Sequence, residues 1–175
     1  MSKRKVERAI RKHWHSAPVN IAGIIKSSGI ELDDQGDLDK EVSGELRRLE
    51  SGSYKITVNR TDHPYRRRFT MAHELAHYYL HASLVGEGTD DDRVYNSTSA
   101  GNFYNTDIEQ KHEYEANSLA IYILMPEHTI NAWVDQNSVD VPLSKNNMIA
   151  LAEHLQVSLE ALQIRLKAIG IAFHS

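Results

Sequence analysis

Two histidines and a glutamate, His73, Glu74 and His77, stand in the order H-E-x-x-H within the stretch Phe69 to His81. On a helix, residues four apart lie about 40° apart around the axis and about 6 Å apart along it, so both imidazoles can reach one divalent ion from one face. Glu74 lies about 100° round from His73, away from the ligand positions, and is placed to take a proton from water held at that ion. The chemistry on offer is metal-assisted hydrolysis. No proline interrupts Phe69 to His81, and Met71, Ala72, Leu75, Ala76 and Leu80 all favour a helix, so a helix is expected here. The pattern is short, however. It would arise in roughly one shuffled sequence of this composition in 25, with two ordinary surface histidines as the alternative. A second segment must supply a further ligand.

The run ending at Met125-Pro126 is such a segment. Thr106 and Glu109 have the spacing of a capping box, and Glu113, Ala116, Asn117, Ala120, Ile121 and Leu124 recur along one side of the helix that should follow. Glu113 can complete a His-His-Glu site with one position left open for water, as a catalytic zinc site requires. Asn117, one turn later on the same face, can hydrogen-bond a ligand and fix its orientation. Glu115 points about 200° away from Glu113 and is expected in solvent. His112, about 100° off, either lines the cleft or faces solvent. His81 extends the pattern to H-x-x-x-H-x-x-x-H, but in a continuous helix it sits about 12 Å along the axis from His73. No glycine turns the chain back between them. His81 is therefore expected to support the ligands or the fold rather than to bind the ion.

These residues carry a family likeness. The phrase RRRFTMAHELAHYYLH, followed by EYEANSLAIYILMP, resembles the ImmA/IrrE family of zinc metallopeptidases. SGELRRLESGSYKITVN and LQVSLEALQIRL look like the flanks of that family, so the likeness runs from Pro18 to Gly170. The resemblance implies that His73, His77 and Glu113 bind Zn2+ and that Glu74 is the catalytic base. It also implies a protein substrate. Members generally cleave, or promote cleavage of, helix-turn-helix transcriptional repressors, and they serve phage, mobile elements, stress responses or toxin-antitoxin pairs. Ala76 stands where the family usually has glycine, and alanine is small enough for the same close packing. The basic N-terminal segment is not part of the pattern.

Composition sets the bounds. A chain of 175 residues suits one domain with a real core. Its net charge of -4 argues against a protein built to coat nucleic acid, so no direct nucleic-acid partner is expected. There is no cysteine, so any metal must be held by histidine and carboxylate. The start, MSKRKVERAIRKHWHS, lacks an apolar signal core, and no stretch of about 18 apolar residues occurs. A cytoplasmic protein with no membrane partner is the expectation.

The remaining elements must position the site. Lys3 to His15 reads as an amphipathic helix with a basic outer face, and Pro18 to Ser28 as a second helix stopped by Gly29. Ile30 to Leu32 suits a short strand, followed by an acidic turn from Asp33 to Asp39. Glu41 to Leu49 admits helix or strand. Tyr54 to Asn59 alternates as a half-buried strand, so a hairpin from about Val42 to Asn59 is preferred, with an edge that an extended peptide could join. Arg66, Arg67 and Arg68 either hold acidic residues of the fold or meet a substrate. Val85 to Asn105 is polar and long for a structureless link, which favours a functional loop or lid; Tyr95 or Tyr104 either steadies an oxyanion or, as is commoner, simply packs. Helices are expected at Glu127 to Gln136, Lys145 to Leu155 capped by Ser144, and Leu159 to Ala168 capped by Ser158. The last two have a helix-turn-helix look, but their apolar residues are what any packed hairpin needs.

The expected fold is α+β: a mainly helical, zincin-like single domain with a small antiparallel sheet and a C-terminal helical hairpin. Its expected parts are a basic helix at 1–16, a metallopeptidase core at 17–142 and a helical subdomain packed on it at 143–175. The expected function is a zinc-dependent endopeptidase acting on a helix-turn-helix repressor or antitoxin. The alternative is a metal-containing binding regulator or toxin-antitoxin component that acts by sequestering its partner.

Overall fold

The computed structural model describes residues 10–14, 16–85, 95–98 and 110–174, with the backbone alone at 84 and 95–98. In chain order the elements are α1 (Ile21–Ser27), β1 (Glu31–Gly36), β2 (Val42–Arg48), β3 (Tyr54–Asn59), α2 (Pro64–His81), a 3-10 turn (Ala82–Leu84), β4 (Tyr95–Thr98), α3 (Gln110–Leu124), α4 (Glu127–Gln136), α5 (Lys145–Leu155) and α6 (Leu159–Ile169). The α+β class expected from the sequence is the class found.

The stretch that admitted helix or strand is β2. It pairs antiparallel with β3, with Leu46 opposite Ile56, both buried. β1 adds to β3 in parallel, so the four-stranded sheet, in the order β1-β3-β2-β4, is mixed. Both edges of the hairpin are therefore covered, and β1 and β4 are the sheet's edges. β1 takes in Asp33 and Asp34, which the sequence suggested for a turn. Lys55, on the neighbouring strand, lies 3.5 Å from both Glu31 and Asp33, and this cross-strand charge offsets part of the repulsion along the acidic segment. β4 falls inside the stretch expected to be a loop. It is too short and polar to show an alternating pattern. Buried Asn59 secures the β1–β2 connection: its amide donates to the carbonyls of Leu38, Asp39 and Val42 at 2.8–3.2 Å.

α2 starts five residues before the expected Phe69. His63 Nδ1 accepts from the Tyr65 amide at 3.2 Å, and Pro64 occupies the first helical position, where its missing N–H costs nothing. The three arginines thus lie within the helix. Arg68 donates to the Val19 carbonyl at 2.9 Å, Arg67 to the Asp34 carbonyl, and Arg66 to Ser43 Oγ at 3.3 Å. For Arg67 and Arg68 the partners are backbone carbonyls, where the sequence offered acidic residues of the fold or a substrate.

α2 packs on β2 and β3. A Cβ built on Gly44 would come within 2.3 Å of Thr70 Cγ2 and 3.1 Å of the Thr57 carbonyl oxygen. The bare glycine is what lets the helix approach the sheet this closely. Met148, Leu151, Leu155, Leu162 and Leu166 bury the C-terminal hairpin, whereas Ile149 is exposed. Ser144 and Ser158 cap α5 and α6 as expected. Arg165 fastens the hairpin to α3, donating to the Met125 carbonyl at 2.8 Å with its guanidinium over the Tyr122 ring. Most of the stretch expected to form a basic N-terminal helix lies outside the described residues. Its end is anchored by buried Ile10 and by Trp14, whose indole donates to the Ile123 carbonyl at 3.2 Å. Among the described residues no helix is long and apolar enough to cross a membrane.

Overpacking a tight contact of this kind costs about 1–3 kcal/mol. Gly44→Val should lower the unfolding free energy from urea titration by about that amount, the midpoint falling with an unchanged denaturant slope.

Candidate metal centre

α2 and α3 pack against each other and bring the selected ligands into one buried cluster. His73 Nε2 and His77 Nε2 are 2.9 Å apart. Glu113 places Oε2 3.3 Å from the first and Oε1 3.3 Å from the second. Donors about 2.0–2.1 Å from a tetrahedral zinc ion lie about 3.3 Å from one another. The carboxylate–imidazole separations match that spacing, and the two ring nitrogens sit slightly inside it. Two imidazoles and one carboxylate, with no thiolate, also form a common donor set for a catalytic zinc ion. The residues therefore fit such an ion.

The surrounding bonds aim the ligands. Asn117 Oδ1 lies 2.9 Å from His73 Nδ1. Accepting there, the amide oxygen keeps the proton on Nδ1 and the lone pair on Nε2, toward the cluster. Asn117 thus does what its position one turn after Glu113 suggested. His81 does not join the cluster. Its Nδ1 sits 3.2 Å from His77 Nδ1, and its Nε2 sits 3.1 Å from Glu115 Oε2. Glu115 is therefore not simply solvated. The helical-wheel angle fixed the direction of its Cα but said nothing about the reach of two long side chains across adjacent helices. His112 stands against His81, ring centroids 4.5 Å apart.

Glu74 is fully buried on the sheet side of α2. A Cβ on Gly44 would lie 3.6 Å from its Cγ, and its charge raises the pKa of His73. Burial lowers the pKa of His73, but its hydrogen bond to Glu113 and the charges of Glu74 and Glu113 outweigh that, so the net shift is upward. Burial dominates at His77 and takes it down to about 4, against the pull of Glu113. Burial raises the Glu113 pKa, yet the two histidines more than reverse this and bring it down to about 2. The two imidazoles thus diverge, with His73 held toward the protonated form and His77 toward the neutral one. Binding a cation displaces the proton.

A cleft of about 640 Å³ opens beside His73 and Asn117. Tyr65, Phe69, Ile121, Val157, Ala161 and Ile164 make its apolar walls, with Arg66 and Glu160 among the polar lining. Ile164 is 50% exposed. No local pattern marks this cleft, because α2, α3 and α6 contribute to it from segments far apart in the chain. Tyr104 and the capping pair Thr106 and Glu109 lie outside the described residues, as does the side chain of Tyr95.

The family model for the IrrE N-terminal-like domain, Peptidase_M78, matches residues 37–167, from the β1–β2 connection into α6. A comparison with curated proteins finds no match.

The shifts set a pH dependence. His77 falls from 6.5 to about 4 and Glu113 from 4.5 to about 2, so in each interval the unfolded chain binds more protons than the folded one. Both contributions are lost on acidification. His73, raised above 6.5, contributes the opposite way: its stabilisation is full below 6.5 and lost as pH rises through the folded value. Thermal midpoints of metal-free protein should decline in two steps between pH 6.5 and pH 2. Glu113→Gln should remove the lower step.

Proposed function

The chain belongs to the IrrE N-terminal-like family, Peptidase_M78, and from that premise we propose that it is a zinc-dependent endopeptidase of the cytoplasm, acting on a helix-turn-helix repressor or an antitoxin. The observation that carries the peptidase reading is the buried convergence of His73, His77 and Glu113 with Glu74 beside them on α2. The choice of a repressor or antitoxin rests on the sequence resemblance.

His73, His77 and Glu113 would hold the ion. When bound, Zn2+ supplies Lewis-acid activation of water and of a peptide carbonyl. Glu74 is the base: its carboxylate takes one proton from the attacking water, whose oxygen bonds to the carbonyl carbon. As the C–N bond breaks, Glu74 passes that proton to the leaving amine. Nothing in this cycle consumes a further reactant, and Glu74 ends as it began. Burial favours the work, since a carboxylate held away from bulk water exchanges its proton with the reacting groups. The cleft beside His73 receives the substrate segment, and its apolar walls favour an apolar side chain next to the scissile bond.

Glu74→Gln keeps the shape of the side chain and removes the base. With Zn2+ bound, it should slow cleavage of a responsive repressor by about 10²–10⁴-fold, read by mass-spectrometric mapping of the fragments. An unchanged rate would reject the role of Glu74. If the variant cleaved nothing yet still relieved repression in cells, the sequestering regulator would be the better account.

A further inference from the structure

Resting on the reading of His77 as a metal ligand, we propose that His81 and Glu115 are positioning residues. They form a hydrogen-bonded chain that holds the His77 proton on Nδ1 and presents the Nε2 lone pair to the ion.

The assignment follows from which groups can donate. An ionised carboxylate only accepts, so the contact of 3.1 Å between Glu115 Oε2 and His81 Nε2 requires the proton on that nitrogen. A neutral imidazole with its proton on Nε2 carries a lone pair on Nδ1. That lone pair lies 3.2 Å from His77 Nδ1, which must then be the donor. His77 Nε2 is left with its own lone pair, facing Glu113 Oε1 and His73 Nε2. The reverse arrangement would need a doubly protonated His81, and it would put an N–H on His77 Nε2 in the space an ion must fill.

The two imidazole ligands are thus served by separate devices. Asn117 orients His73 directly, and Glu115 orients His77 through an intervening histidine. The His112 ring against His81 holds that intermediate in place. Because the Glu115 side chain is 41% exposed, water can partly replace it, whereas nothing replaces His81 at the middle of the chain.

The test combines histidine-labelled NMR of metal-free protein with Zn2+ affinity measured by chelator competition. Wild type should show His77 protonated at Nδ1. His81→Phe keeps the ring against His112 but removes both nitrogens. It should move the His77 proton to Nε2 and weaken Zn2+ binding on the order of 10–100-fold. Glu115→Ala should weaken binding by a smaller factor, and Glu115→Gln, whose amide oxygen still accepts, should restore it. A folded His81→Phe protein with the His77 proton still on Nδ1 and an affinity within about twofold of wild type would overturn the proposal. If that variant does not fold, the exposed pair decides: equal affinities for Glu115→Ala and Glu115→Gln would overturn it. A wild-type protein that bound no Zn2+ would instead remove the reading of the centre on which the proposal rests.

Discussion

Bringing two imidazoles and a carboxylate together out of water is the constraint on which the rest of the structure depends. Such groups cost several kcal/mol to bury unless they are paired and hydrogen-bonded. Here each offsets the burial of the others: the Glu113 oxygens lie 3.3 Å from both rings, and Asn117 and His81 satisfy the outward nitrogens. What remains is a donor cluster whose inward edge a divalent cation satisfies better than shared protons do.

The scaffold is arranged to keep that cluster rigid. His73 and His77 share one helix, so their spacing is set by α-helical geometry rather than by loops. Gly44 lets this helix settle onto β2, and Arg67 and Arg68 tie its first turns to backbone carbonyls at Asp34 and Val19. Glu113 and Asn117 share the second helix, whose C-terminal end is clasped by Arg165 from the hairpin that follows. The same hairpin contributes Val157, Ala161 and Ile164 to the wall of the cleft. Its helix-turn-helix outline thus serves packing and the shape of the site.

Much of this was legible in the sequence where the signal was local. The H-E-x-x-H spacing, the alternation of Tyr54 to Asn59 and the serine caps of the last two helices each depend on residues within a turn or two of one another. What could not be read was set by tertiary contact. The pairing of Glu115 with His81 depends on how α2 and α3 cross, so a wheel drawn for one helix sent Glu115 to solvent. The acidic strand β1 pairs beside Lys55 of its neighbour, and β4 pairs along the outer edge of β2, both contacts between segments distant in the chain. The carbonyl partners of the arginines, and a cleft built from three separate helices, carry no mark in composition or period.

Zinc-edge X-ray absorption on protein reconstituted with one equivalent of Zn2+ addresses the central claim most directly. The account predicts a four-coordinate shell of nitrogen and oxygen at about 2.0–2.2 Å, with the outer-shell scattering of two imidazole rings. Loss of one ring's signal in His77→Ala would accompany it. A shell of oxygen alone, or one unaltered by that substitution, would contradict the account.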